Sequence, residues 1–349
     1  MVGGGQMRIT EKVLSRLDCR IKGRTHTRQP LMLSVFVNSV CNARCVMCDI
    51  GNGGGNFTRN IASREEMTFD VFAKIVDQYT GNIAINGTEP LLHPEITRMV
   101  KYATRRGVHC TLTTNGLMLP KHAQGLINAK PSELIVSIDG PKEIHDKTRG
   151  VDGIYDAAVE GIRMVANHID VAVAMTVTDK NYPHIEDTGL FFKTIGVKRF
   201  IVSHLNFITR RMADAHNEQF GDVFGVVKPS SEMVDPTAVN TEILREQINE
   251  FNEYLACVPE LNGRQYERYY KTERPVVYHG CVSAWKHMQI LANGDVIPAS
   301  RCFNMKLGNI HTETIEEIWT GCMFDKFRSL IKKHGVTPAC ERCCARFAK

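Results

Sequence analysis

The sequence predicts an α/β fold with parallel strands, either doubly wound or rolled into a full or partial barrel. Two observations lead there. Short apolar runs of strand type alternate six times with helix-type periodicity, and that succession requires parallel strands joined by right-handed crossovers. The 349 residues, 43% of them hydrophobic, are also enough to bury one large core with an appendage. The strand candidates are Leu31 to Ser39, Gly81 to Thr88, His109 to Gly116, Glu133 to Gly140, Asp170 to Thr178 and Lys198 to Phe207.

The first helix shows the logic between strands. Thr68 is an N-cap residue, Val71, Phe72, Ile75, Val76 and Tyr79 share one face, and Gly81 marks the stop. Further helices are expected over Pro94 to Arg106, Pro120 to Asn128, Tyr155 to Asn167 and Tyr182 to Thr194. Polar residues gather at the strand C-terminal ends, where a parallel barrel places its chemistry: Asn86, Thr114, Asn115, Ser137, Asp139, Thr176, His204 and Asn206. After Phe207 the alternation stops. The polar, Gly/Pro-marked stretch that follows reads as a loop or lid, and a helix is expected from Thr241 to Cys257. Near Cys281 the texture changes, with a hairpin signal at Asn293-Gly294, then one helix pattern from Glu313 to Lys333.

Lys and Arg number 43 against 38 Asp and Glu, a net charge of +5 with no block of like charge. That balance excludes a nucleic-acid footprint and suits at most an anionic small ligand. No apolar run reaches about 18 residues and no secretory h-region opens the chain, so a cytoplasmic protein without a membrane partner is expected. In a reducing compartment its 12 cysteines point to metal or redox chemistry instead of disulfides. Cys41, Cys45 and Cys48 stand four and three residues apart directly after the first strand. Four thiolates close a tetrahedral site, whereas three leave a position for something that reacts. Ligand type alone leaves zinc and Fe–S both open.

The stretch CNARCVMC resembles the Cys-x3-Cys-x2-Cys signature of radical S-adenosylmethionine (radical SAM) enzymes. NGTEPLLHPEI from Asn86 is similar to that family's Gly-Gly-Glu-Pro strand end. TTNG from Thr113 and VSIDG from Val136, followed by HDKTRG from His145, are similar to its third and fourth strand ends. The resemblance spans residues 31–207 and implies a partial (β/α)6 TIM-like barrel. It further implies that Cys41, Cys45 and Cys48 hold a [4Fe–4S] cluster with an open site for SAM. Reductive cleavage of SAM to a 5′-deoxyadenosyl radical would then abstract a hydrogen atom from the substrate. By the same resemblance Glu89, with the backbone at Gly87 and Thr88, binds the SAM amino group, and Ser137 meets the ribose or carboxylate. Asn115 and Thr176 are further candidates, and Met47 packs on the adenine. Thr88 stands where the family has glycine, and the fifth strand lacks the glycine-rich motif of some members.

Cys281, Cys302, Cys340 and Cys343 suit a zinc ribbon as well as Fe–S by spacing alone. Their context, GCVSAWKHMQILANGDVIPASRC with LGNIHTETIEEIW and CERCC, resembles the SPASM/twitch extension of radical SAM enzymes, the shorter twitch pattern fitting better. That implies a small C-terminal domain with one auxiliary [4Fe–4S] cluster serving electron transfer. The expected organisation is an N-terminal helix and linker over 1–30, the barrel over 31–207, a lid and helix over 208–280 and the cluster domain over 281–349. Cys19, Cys110 and Cys257 read as buried small hydrophobes. The catalytic residue is not legible. Cys322 and Cys344, as thiols that return a hydrogen atom, and His204 are candidates, against a bland reading as packed or bystander side chains. The expected activity is oxidation or epimerisation of a small polar substrate, a sugar, aminocyclitol or nucleoside, with Arg210, Arg211 and His216 gathering its hydroxyl or phosphate groups. Flavodoxin or ferredoxin would donate the electron. The alternative is a SPASM-type maturase of ribosomally made peptides, disfavoured by the lack of a separate peptide-recognition domain before Leu31. A non-catalytic zinc scaffold is the remote third reading.

Overall fold

The computed structural model describes residues 27–48, 65–230, 234–249, 254–272, 274, 276, 281–298 and 305–343. All six predicted strands form: β1 (Met32–Val35), β2 (Asn82–Ile85), β3 (His109–Thr114), β4 (Glu133–Ser137), β5 (Val171–Thr176) and β6 (Arg199–Ser203). The helices between them are α1 (Phe69–Asp77), α2 (Ile96–Arg105), α3 (Leu119–Ala129), α4 (Lys142–Arg149), α5 (Ile154–Val165) and α6 (Ile185–Thr194). Thr68 caps α1 as expected, its side chain accepting from the Val71 amide. The helix stops at Gln78, which keeps right-handed helical geometry, so Gly81 is not its terminator.

Period-two alternation divides each strand between two environments. Leu33, Val35, Ile83, Ile85, Cys110, Leu112, Leu134, Val136, Val173, Met175, Phe200 and Val202 are wholly buried and join the helices in one continuous core. Ser34, Thr113, Ser137 and Thr176 project from the other face into a cavity. Burying a Leu or Val side chain contributes about 1.5–3 kcal/mol, so the outer face holds the sheet and leaves the inner face free for polar chemistry. The strands run in parallel register from β1 through β6 and form a partial TIM-like barrel.

Beyond β6 the structure corrects several expectations. The stretch read as a lid contains α7 (Arg210–Phe224), capped by Thr209 and burying Met212, Ala213, His216 and Phe224. The helix expected over Thr241 to Cys257 is only α8 (Thr241–Asn249). Cys257 lies in β7 (Leu255–Val258), a seventh parallel strand beside β6. Next comes α9 (Gly263–Lys271), then the hairpin β8 (His287–Ile290) and β9 (Asp295–Pro298), with Gly294 at φ +82° in the turn. The short β10 (Gly308–Asn309) pairs with β9. The last helix pattern breaks at Gly321 into α10 (Ile315–Thr320) and α11 (Cys322–His334). The hairpin is not a detached module. β8 pairs in parallel with β1, Met32 opposite His287 and Ser34 opposite Gln289, giving, among the described residues, a ten-stranded sheet in the order β10-β9-β8-β1-β2-β3-β4-β5-β6-β7. Most of the proposed 1–30 segment lies outside the described residues.

Helices α3 and α5 meet at Gly161, where an added Cβ would stand 2.5 Å from Leu119 Cγ and 2.7 Å from its Cβ. Alanine is favoured over glycine by about 1 kcal/mol in an open helix, but overpacking at a rigid contact costs about 1–3 kcal/mol. Gly161→Ala is therefore expected to lower the urea midpoint with an unchanged m-value; a raised midpoint would show that the two helices separate easily.

Candidate active site

A cavity of about 410 Å³ opens at the C-terminal ends of the strands, within the range of small-ligand sites. Cys41, Cys45 and Cys48 line it together with Met47, Gly87, Thr88, Glu89, Asn115, Ser137 and Thr176. Every residue predicted to hold the primary cluster or SAM thus borders one space. Ser34, Phe36, Arg149 and Gln289 also line it, and the sequence reading did not single these out.

The cysteine loop is docked on the end of α4. The Arg44 amide donates to the Arg149 carbonyl at 2.9 Å, the Val46 amide to that of Thr148 at 2.9 Å, and the Cys48 amide to that of Cys45 at 3.0 Å. Gly150, at φ +65°, ends α4, and a Cβ there would meet the Arg44 carbonyl at 2.9 Å. The HDKTRG segment is therefore the seat of the loop. Arg149 reaches inward, its Nε donating to Asp139 Oδ2 at 2.6 Å and its Nη1 lying 3.7 Å from Cys45 Sγ. Burial opposes its charge, and Asp139 with the Cys45 and Cys48 sulfurs overcomes that and raises its pKa. Asp139 also accepts from the Thr176 amide at 3.0 Å, linking β4 to β5. Burial pushes the Cys41 thiol up and the Cys45 thiol up to about 12, with Arg149 opposing in both. Thiols that resist ionisation as free groups, beside one fixed cation, fit a ligand set that is deprotonated by binding metal. Among the described residues no three His, Cys, Asp or Glu side chains are grouped as a single metal ion requires, and a multi-iron cluster does not require it.

Glu89 is 1% exposed. Its Oε1 accepts from Thr114 Oγ1 at 2.7 Å and the Leu91 amide at 2.9 Å, and its Oε2 accepts from the Asn115 amide at 2.7 Å. Burial raises its pKa despite these donors, as expected of a carboxylate short of positive charge, and an ammonium group would supply that charge. Gly87 has φ +99°, and a Cβ there would lie 2.1 Å from Phe36 Cζ, so only glycine fits. The threonine in place of glycine at 88 turns its hydroxyl back onto Asn38, 2.7 Å from Oδ1 and 2.9 Å from the carbonyl. Asn38 in turn donates to the Glu89 carbonyl at 2.9 Å. The residue set fits a cluster and SAM.

The other candidates lie elsewhere. His204 does not border the cavity; it is buried among Tyr266, Tyr269 and Tyr270, with Nδ1 2.7 Å from Tyr270 Oη and Nε2 3.3 Å from Cys257 Sγ. Cys322 is exposed at the start of α11. Cys302 and Cys344 lie outside the described residues. Of the auxiliary cysteines, Cys340 and Cys343 are buried in one turn and Cys281 is half-buried. Arg342, between the terminal pair, is fully buried and donates to the carbonyls of Tyr269 at 2.7 Å, Arg268 at 2.9 Å and Thr272. It thereby ties the turn to the end of α9. Tyr269 Oη lies 2.8 Å from the carbonyl of Leu205, a cavity residue, and 3.1 Å from that of Arg342. His216, expected to gather substrate, is wholly buried.

Comparison with known proteins agrees with this geometry. Residues 35–192 match the radical SAM superfamily, and residues 281–344 match the iron-sulfur cluster-binding SPASM domain. The antilisterial bacteriocin subtilosin biosynthesis protein AlbA of Bacillus subtilis is 24% identical over 89% of this chain, which spans 64% of AlbA's length. The AdoMet-dependent heme synthase of Methanosarcina barkeri is 25% identical over 90% of this chain and 89% of its own. Streptococcus suis SuiB bound to precursor peptide SuiA shares the fold, with a TM-score of 0.66, 17% identity and coverage of 96% of this chain and 74% of that one.

Two outcomes follow for the site. Arg149→Leu leaves Asp139 buried without its partner and is expected to cost about 3–5 kcal/mol in denaturant unfolding; a loss under about 1 kcal/mol would mean that water reaches the pair. Burial holds His145, His204 and His287 neutral, with pKa values lowered to about 4, about 3 and about 4. The unfolded chain, with histidines near about 6.5, takes up protons first on acidification. Stability is therefore full above about pH 6.5 and declines toward about pH 4. Thermal midpoints recorded down that range should fall less steeply in His145→Gln than in the parent.

Proposed function

We propose that this chain, a radical SAM enzyme with a C-terminal SPASM domain, modifies a ribosomally made precursor peptide. The lining of the cavity carries that reading. Its only charged side chains among the described residues, cysteines aside, are Glu89 and Arg149, and Arg149 is matched by Asp139. A phosphorylated, carboxylate-rich or aminocyclitol substrate would demand further charge, whereas a segment of peptide needs donors and acceptors for its amides. The lining offers one at Gln289. Gln289 is 5% exposed, and its amide nitrogen has no hydrogen-bond partner among the described residues. It stands opposite Ser34 across the β1–β8 pairing, and both border the cavity. An unpaired buried N–H costs about 1–3 kcal/mol, which a substrate carbonyl oxygen would relieve.

The likeness to AlbA, a bacteriocin biosynthesis protein, and to SuiB with its bound precursor peptide supports the same substrate class. The expected oxidation or epimerisation of a sugar, aminocyclitol or nucleoside has no comparable support from the lining or the relatives. A tetrapyrrole is the second reading, favoured by the nearly full-length likeness to a heme synthase.

In this proposal Cys41, Cys45 and Cys48 hold the primary cluster. Glu89 receives the SAM ammonium, Gly87 lets the backbone approach, and Ser137, Thr176, Asn115 and Met47 border the nucleoside. When bound, the cluster and SAM supply the one-electron chemistry that removes a hydrogen atom from substrate. Arg149 keeps a positive charge beside Cys45 throughout, and the Cys281, Cys302, Cys340 and Cys343 set holds the auxiliary cluster.

The test uses anaerobic holoenzyme with SAM and dithionite. It is offered short peptides encoded beside its gene, iron porphyrins and an aminocyclitol in separate reactions. The expected result is 5′-deoxyadenosine formation together with a mass loss or crosslink in a peptide only. A modified porphyrin or aminocyclitol with every peptide intact would overturn the peptide reading.

A further inference from the structure

The pairing of β1 with β8 puts a donor and an acceptor side by side on the cavity wall. Ser34 and Gln289 stand opposite one another in parallel register, and both border the cavity. Neighbouring strands lie about 4.8 Å apart, so the two side chains rise together from one face. Ser34 is 4% exposed and Gln289 5%. The amide nitrogen of Gln289 has no hydrogen-bond partner among the described residues. It is a donor without an acceptor.

Ser34 is anchored from below. Its Oγ lies 2.9 Å from Nε2 of His287, which precedes Gln289 by two residues and so shares its face of β8. If Nε2 carries the imidazole proton, the Ser34 oxygen accepts it with one lone pair and keeps the other. If Nε2 is bare, the hydroxyl donates and both lone pairs remain. In either tautomer Ser34 keeps an acceptor for the cavity, and His287 sets where that oxygen stands.

A donor and an acceptor at this spacing match one part of a peptide. In an extended chain the N–H and C=O of the same residue project to the same side, which is how two opposed residues of an antiparallel pair exchange both their hydrogen bonds. We propose, on the peptide reading above, that Ser34 and Gln289 form a main-chain clamp for one extended residue of the substrate. Ser34 accepts from the N–H of that residue and Gln289 donates to its C=O. The residue held is therefore not proline, which has no N–H. Because the clamp reads backbone, it fixes where the peptide lies along the cavity without dictating the side chain at that position. Gln289 and His287 belong to the region that matches the SPASM domain, so that region contributes to substrate binding as well as carrying the second cysteine set.

The experiment uses anaerobic full-length holoenzyme with SAM, dithionite and a peptide encoded beside its gene, prepared as a set in which each amide N–H in turn is replaced by an ester oxygen. The expected result is a fall in kcat/KM of about tenfold or more at a single position, reproduced by proline there. In Ser34→Ala the ester penalty at that position should vanish, the coupling that a double-mutant cycle isolates; a merely structural serine would slow every member of the set alike. Gln289→Met should raise KM with kcat within about twofold of the parent. Without substrate the same variant should raise the urea midpoint, because it removes an unpaired buried donor. A modified peptide with no ester-sensitive position overturns the clamp and leaves the peptide reading standing, as does sensitivity that follows an Asn or Gln side chain of the peptide instead of its backbone. A lowered urea midpoint in Gln289→Met also overturns the clamp, since the nitrogen would then already be satisfied. If no peptide is modified, the peptide reading and the clamp fall together.

Discussion

Arg149 brings a full positive charge into the interior at the end of α4, and most of the candidate site is arranged around keeping it there. A buried guanidinium is tolerable only with a matched partner, and Asp139 fills that role from the end of β4 while also holding the Thr176 amide of β5. The backbone of the same arginine carries the Arg44 amide, so the cysteine loop, α4 and two strand ends share one anchor. Burial pushes the Cys41 and Cys45 thiols up, and Arg149, its Nη1 3.7 Å from Cys45 Sγ, is the fixed positive charge beside them. The seating of the loop and its electrostatics thus share one residue.

That dependence explains what the sequence did and did not disclose. β1 to β6 were legible because each buries one apolar face against helices, which imposes a two-residue period that composition cannot hide. The loop cysteines stood out by their spacing and Glu89 by the family resemblance, and all of them border the cavity. Helix α4 was not, since its KEIHDKTR sequence carries no apolar stripe; it buries His145, Thr148 and Arg149 for the site's sake. Helix α7 is equally polar, and its signals, the Thr209 cap and the spacing of Met212, His216 and Phe224, were outweighed by the glycines near its end. β7 merged with the helical pattern of α8 because an edge strand of four residues is only half-buried and shows no alternation. Gln289 escaped because its importance comes from pairing across more than two hundred residues of chain, which no local pattern reveals.

The two cysteine regions are physically continuous. Leu205 borders the cavity, its carbonyl lies by the Tyr269 hydroxyl, and that hydroxyl also lies by the carbonyl of Arg342 between Cys340 and Cys343. Arg342 saturates carbonyls at the end of α9, where a helix leaves acceptors unsatisfied and favours a cation. The Cys-x2-Cys turn is therefore held against the barrel by charge and hydrogen bonds together with apolar packing. Such directional contacts fix orientation as well as proximity, and orientation is what a long-range electron donor or acceptor requires.

The seating of β8 beside β1 has a consequence for how the chain is made. β1 leaves the ribosome more than two hundred residues ahead of β8, so one flank of the nascent sheet stays unpaired until residues 287–290 emerge. An unpaired flank is a template for pairing with other chains, and contacts between distant segments slow folding. The arrival of β8 is thus a late stitch that covers that flank of the barrel and, in the same stroke, adds Gln289 to the cavity.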